Sequence, residues 1–191
     1  MSAKIKIKLT KARLAFPHLF VPSAMQREDG SSGKPTFQAT LLFKPTDPQL
    51  ELIRKTMKEV SVQQWAKDAD KQFKALTMGL RVCLIDGDTK PDTGGYAGHW
   101  VLKANSKTRP MVVDSDQRTP LMPADGRPYG GCYVNASVDI WAQDNQFGKR
   151  INAGLVAVMF HSHGEPFGGG SIPQDNEFEG MGAGEEESEF A

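Results

Sequence analysis

The sequence predicts a mainly β domain, a small antiparallel barrel of about five strands with one long helix, followed by a disordered acidic tail. Three observations point there. Segments with period-two alternation or rich in β-branched and aromatic residues recur through residues 1–164, separated by Gly-, Pro- and Asp-rich breaks. A single stretch, 47–73, carries apolar residues at helical three- and four-residue spacing. Charge is also divided along the chain. Residues 165–191 hold eight acids and no Lys or Arg, while 1–164 hold 15 acids against all 23 bases, so a formal net charge of zero is a balance of +8 and −8. Such asymmetry suggests an anionic partner, although a solubilising tail beside an ordinary basic domain also accounts for it.

At 191 residues and 39% hydrophobic, the chain can bury one core. No apolar run approaches the ~20 residues that cross a bilayer. MSAKIKIKLTK lacks the continuous apolar segment of a secretory signal, so a cytoplasmic location is expected, with no membrane partner.

The first strand is KIKIKL, residues 4–9, with Ile5, Ile7 and Leu9 on one face and the lysines on the other. RLAFPHLFVP, 13–22, reads as a loop. After EDGSSGKP comes TFQATLLFK, 36–44, the second strand. The helix opens with Thr46 or Asp47 as cap and Pro48 in its first turn, and Leu50, Ile53, Met57 and Val60 line its apolar face. A break is expected near 60–62. Strands follow at 79–86, 99–106, 111–114, 132–143 and 152–162. The loops between them, GDTKPDTGGYAG and DSDQRTPLMPADGRPYGG, are long enough to be functional. Cys83 and Cys132 lack ligand spacing and are expected as buried free thiols. The tail is too poor in aliphatics to offset the entropy of ordering.

Unpaired bases need flat faces to stack on and their phosphates need cations nearby. In GYAGHWVLKANSKTRP, Tyr96 and Trp100 precede Lys103, Lys107 and Arg109. If Val101 faces inward, Trp100 and Leu102 point the other way, yet a strand tryptophan can equally be core. Lys11 and Arg13 suit phosphate contact, whereas Phe16 and Phe20 beside Pro17 either stack on bases or plug the barrel's end. On 132–143, an inward row of Val134, Ala136, Val138 and Ile140 puts Tyr133 and Trp141 on the outer face, open to ligand or covered by the helix. Asp86 with Asp88, and His161 with His163, raise a metal-dependent nuclease as a rival. Asp-Gly is first a turn signal, however, and neither pair has companion ligands. There is no GxxxxGK[ST], HExxH or GxSxG, and no cofactor is implied.

LIDGD, GYAGHWVLKANSKTRPMVVD, GGCYVNASVDIWAQ and INAGLVAVMFHSHGEPFGG, with RLAFPHLFVP and TFQATLLFKP, resemble the single-stranded-DNA-binding proteins of tailed phages, first catalogued as a domain of unknown function. The similarity covers most of 5–170. It implies an OB-fold nucleic-acid-binding domain at 1–164 and a flexible acidic tail at 165–191 ending in or near an aromatic. It also implies non-catalytic binding of single strands without sequence preference, in phage replication, recombination or repair. Glu185, Glu186, Glu187, Glu189 and Phe190 match the tail pattern, although Ala191 follows the aromatic. Such a tail would compete with DNA as a tethered polyanion and recruit replication or recombination proteins. A homodimer through edge strands is a further expectation, and a virion-assembly protein whose acidic tail serves assembly only is, with the nuclease, a rival to the DNA-binding reading.

Overall fold

Seven strands and two helices follow one another through residues 3–24 and 32–167, the part of the chain that the computed structural model describes. The expected tail contacts Glu185, Glu186, Glu187, Glu189 and Phe190 lie outside the described residues. The elements are β1 (Lys4–Ser23), β2 (Thr36–Phe43), α1 (Gln49–Trp65), α2 (Ala69–Met78), β3 (Leu84–Asp86), β4 (Trp100–Ser106), β5 (Met111–Val113), β6 (Tyr133–Asn145) and β7 (Gly148–Ser162). Strands β4, β2, β1, β6 and β7 are neighbours in that order through antiparallel pairs. The parallel meeting of β4 with β7 at Asn105 and Gly154 closes them into a five-stranded barrel. The short strands β3 and β5 flank it on β4 and β7.

Residues paired across neighbouring strands share a face, so the core can be read from the register. Leu14 pairs with Leu41 and Leu41 with Leu102, while Ile7 pairs with Val138 and Val138 with Leu155. All of these are buried. Each Leu or Ile buried this fully contributes roughly 1.5–3 kcal/mol through the water it sheds. Lys4, Lys6 and Lys8 occupy the opposite, exposed face of β1, as the alternation predicts.

The segment 13–22 is not a loop but the second half of β1. Two bulges explain the continuation. Register shifts after Leu9 and after Ala15, and the backbone takes a positive φ of 49° at Lys11 and 46° at Phe16. Each bulge bends the strand, so its first half pairs with β6 and its second with β2. Pro17 sits within the second irregularity, where no ladder N–H is required.

The Asp47 carboxylate accepts from the backbone N–H of Gln49 at 2.9 Å, which opens α1 where the sequence placed it. The helical path is interrupted at 66–68 and not at 60–62. Val60 and Ser61 are buried and carry α1 onward, and Ala66 takes a φ of 45° once the Trp65 indole has donated to Asp144 Oδ2 at 2.8 Å. Because α2 runs on to Met78, the strand expected from 79 shrinks to β3. No helix among the described residues is long and apolar enough to cross a membrane. Cys83 and Cys132 are free and buried, their thiols pushed by desolvation up to about 12 and about 11.

Candidate nucleic-acid interface

OB barrels take ligands on the outer face of their second and third strands and on the loops joining strands one to two and four to five. In this barrel those are β2 and β4, the described residues 32–35 ahead of β2, and the turn at 146–147. Gln38 and Thr40 of β2 stand opposite Asn105 and Lys103 of β4. They border a cleft of ≈ 350 Å³ whose walls include Lys34, Lys90, Lys103 and Arg150 and no carboxylate. On the strand-four-to-five side, the β6–β7 turn presents Phe147, 76% exposed. Its backbone N–H donates to Asn145 Oδ1 at 2.9 Å and its carbonyl accepts from Arg81 at 3.3 Å. The turn's own hydrogen bonds therefore hold the phenyl ring outward without burying it.

Among the residues expected at the interface, Lys103 lies in this cleft, its ammonium 5.4 Å from the centre of the Tyr96 ring. Burial holds the Lys103 pKa below its ordinary value. Tyr96 departs from the expectation of an accessible stacking ring. It is 3% exposed, bonds Thr40 through its side chain and meets Phe16 edge-on at 6.1 Å, and burial raises its hydroxyl pKa. The loop 87–99 folds back onto the sheet because Gly87, whose N–H donates to the His99 carbonyl at 2.8 Å, has no Cβ to strike the Tyr96 carbonyl. Tyr96 is thus the floor beneath Lys103.

Trp100 is also withdrawn from the outer face. It pairs with Phe43, and Leu102 on the same side of β4 pairs with Leu41 in the core. The Arg54 guanidinium of α1 covers its ring at 4.4 Å. Val101 lies on the opposite side with Leu42 and Ile85, buried as fully as Leu102, which is why alternation alone did not orient this strand.

The remaining candidates fall into two further groups. Lys11, Arg13 and Tyr133 line a second cleft, ≈ 610 Å³, together with Lys44, His99 and the acid Asp47. Arg13 is engaged there: it donates to the Glu165 carbonyl at 3.0 Å and stacks 4.4 Å from the Phe167 ring. Phe167 N–H in turn donates to the Gly130 carbonyl at 3.0 Å, so the first three residues assigned to the tail are seated on the domain. Trp141, Lys107 and Arg109 border a third cleft with Lys4, ≈ 520 Å³. Arg109 also lies 5.3 Å from the Phe20 ring.

The carboxylates of the nuclease alternative have structural duties. Asp86 Oδ1 accepts from the N–H of Asp88 at 3.0 Å, and Asp88 Oδ1 from that of Gly98 at 2.7 Å. His161 and His163 lie within hydrogen-bond distance of Ser162 Oγ and the Tyr129 hydroxyl, at 2.9 and 3.0 Å. Among the described residues no group of three or more His, Cys, Asp or Glu could hold a metal ion. Sequence reasoning missed Lys34, Lys90, Arg150 and Phe147. A signal existed for the last: DNQFGK sets an aromatic in a polar turn between two strands, where folding gives it nothing to pack against.

Over residues 5–191 the chain matches the family model described as Enterobacter phage Enc34, ssDNA-binding protein. It is 39% identical over 189 residues to putative protein p50 of Acyrthosiphon pisum secondary endosymbiont phage 1, covering 98% of this chain and 100% of that one. The structure of the single-stranded DNA-binding protein from bacteriophage Enc34 in complex with ssDNA is similar at a TM-score of 0.59 and 30% identity, over 85% of this chain and 89% of that one. The barrel architecture extends to gp2.5, a single-stranded DNA binding protein encoded by bacteriophage T7, at a TM-score of 0.55 and 15% identity over 99% and 100% of the two chains. The chain belongs to the family of phage single-stranded-DNA-binding proteins represented by that of Enterobacter phage Enc34.

Proposed function

We propose that this chain binds single-stranded DNA without sequence preference through the cleft across β2 and β4. The observation that carries the reading is a groove on the OB ligand face with four cations and no acid in its walls, on a barrel whose β6–β7 turn holds a phenyl ring out to solvent. Lys34, Lys90, Lys103 and Arg150 neutralise phosphates and release their counterions, while Phe147 stacks on a base. Every base has a π-face, so stacking gives no sequence preference. Duplex DNA turns those faces inward and loses this part of the interaction.

On this reading the protein serves phage DNA replication, recombination or repair in the host cytoplasm. Its acidic segment, with Glu185, Glu186, Glu187, Glu189 and Phe190, recruits protein partners, and a second copy docks on exposed strand edges. Titration of the protein with oligo-dT over a range of salt tests the binding itself. Four phosphate contacts give a log–log slope of about −3 for a single strand, with weaker binding of duplex of equal length. Equal affinity for both forms, or a slope near zero, overturns the proposal.

A further inference from the structure

The clefts lined by Lys103 and by Trp141 adjoin. Asn105 lines both, and it is paired across the β4–β7 seam with Gly154, which lines the second. Along β7 the outward row runs Arg150, Asn152, Gly154, at about 7 Å per step. Arg150 and Asn152 belong to the first cleft and Gly154 to the second.

Gly154 also shapes what the second cleft can hold. Trp141 on β6 lies against it so closely that a Cβ there would stand 3.0 Å from the indole's six-membered ring. The absence of a side chain lets the indole lie down on the barrel wall. From the other side, Lys4 of β1, the register partner of Trp141, brings its ammonium to 5.0 Å from the ring centre. Lys107 and Arg109 stand on the cleft's wall, with Asp139 the acid among its lining residues. The other two tryptophans are withdrawn: Trp65 is buried with its N–H on Asp144, and Trp100 lies beneath Arg54.

We propose that the single-strand path does not end at the β2–β4 face but crosses the seam at Asn105 and Gly154 into a second subsite. There a base stacks on Trp141 and its phosphates meet Lys4, Lys107 and Arg109. This rests on the reading above, and adds that the footprint has two parts joined over the barrel's closure. A strand long enough to span both clefts engages both, whereas a short one is held by the β2–β4 cleft alone.

The experiment uses the full chain with oligo-dT of about 5 and about 15 nucleotides, near the two ends of the range for one OB barrel. Trp141→Ala should weaken the long strand roughly 5- to 150-fold and leave the short one within about twofold. Trp141→Phe, which keeps a stacking face, should retain most of the affinity while abolishing the quenching of tryptophan fluorescence that the long strand produces. Gly154→Val should raise the indole and weaken the long strand selectively, with a melting curve to establish that the variant folds. Undiminished quenching in Trp141→Phe, or long-strand affinity unchanged in folded Trp141→Ala, overturns the second subsite while leaving the first standing. A wild-type chain that binds neither oligonucleotide removes the parent reading as well.

Discussion

Replacing Phe147 by alanine isolates the stacking half of the proposed mechanism on the β2–β4 face. The ring is 76% exposed, so folding buries at most about a quarter of it. Full burial of such a side chain is worth about 1.5–3 kcal/mol, and the variant should lose less than about 0.8 kcal/mol of stability. For a domain of this size that moves the melting temperature by less than about 3 °C. The turn is preserved, because its hydrogen bonds to Asn145 and Arg81 use the Phe147 backbone. A base–aromatic stack is worth about 1–3 kcal/mol, so affinity for oligo-dT should fall roughly 5- to 150-fold. Phe147 carries no charge, and the salt slope should stay where it was. Fluorescence anisotropy of labelled oligo-dT at several salt concentrations reads both quantities, and Phe147→Trp should restore affinity. Binding within twofold of the wild type, or a shallower slope, would refute the assignment of this ring to a base.

Lys103 and Trp65 carry two further predictions. Burial holds the Lys103 pKa below 10.5, so its charged form bears a desolvation penalty that is present below the depressed pKa and relieved above it. A bound phosphate favours the charged form, so affinity should decline as pH rises through that depressed value, whereas Lys103→Arg, charged throughout, should flatten the alkaline limb. Identical limbs in the two proteins would contradict a phosphate contact at Lys103. Trp65→Phe removes the 2.8 Å bond to Asp144, which keeps Lys149 at 3.5 Å. The expected loss is about 1.5 kcal/mol, the low end for a bond to a charged group. The melting temperature should fall by about 3–6 °C with oligo-dT affinity intact, and an unchanged melt would show that the indole does not pin the helix to β6.

Much of the architecture is present in local pattern. Alternation in YVNASVDIWAQ is enough to send Val134, Ala136, Val138 and Ile140 inward and Tyr133 and Trp141 outward, because period two leaves one choice when one face is apolar. It fails on WVLKANS, where Val101 and Leu102 are both buried, one on the side of Leu42 and Ile85 and the other in the barrel. It fails also at 13–22, where positive φ values at Lys11, just before the segment, and at Phe16 within it keep a proline-containing stretch in a strand. Bulges of this kind answer to the partner strands on either side and leave no periodic trace.

The sequence by itself determined the class of fold and the division of charge: a cationic β domain with period-two strands and one helical stretch, and acid gathered at one end. The tertiary structure decided which of these residues share a surface. It buried Tyr96 as the floor under Lys103, turned Trp100 beneath Arg54, engaged Arg13 with Glu165 and Phe167, and brought Arg150 to a cleft that also holds Lys34. The physical reason is closure. Side-chain direction along one strand is a local property, but which strands become neighbours depends on pairings between residues far apart in the chain, such as Asn105 with Gly154.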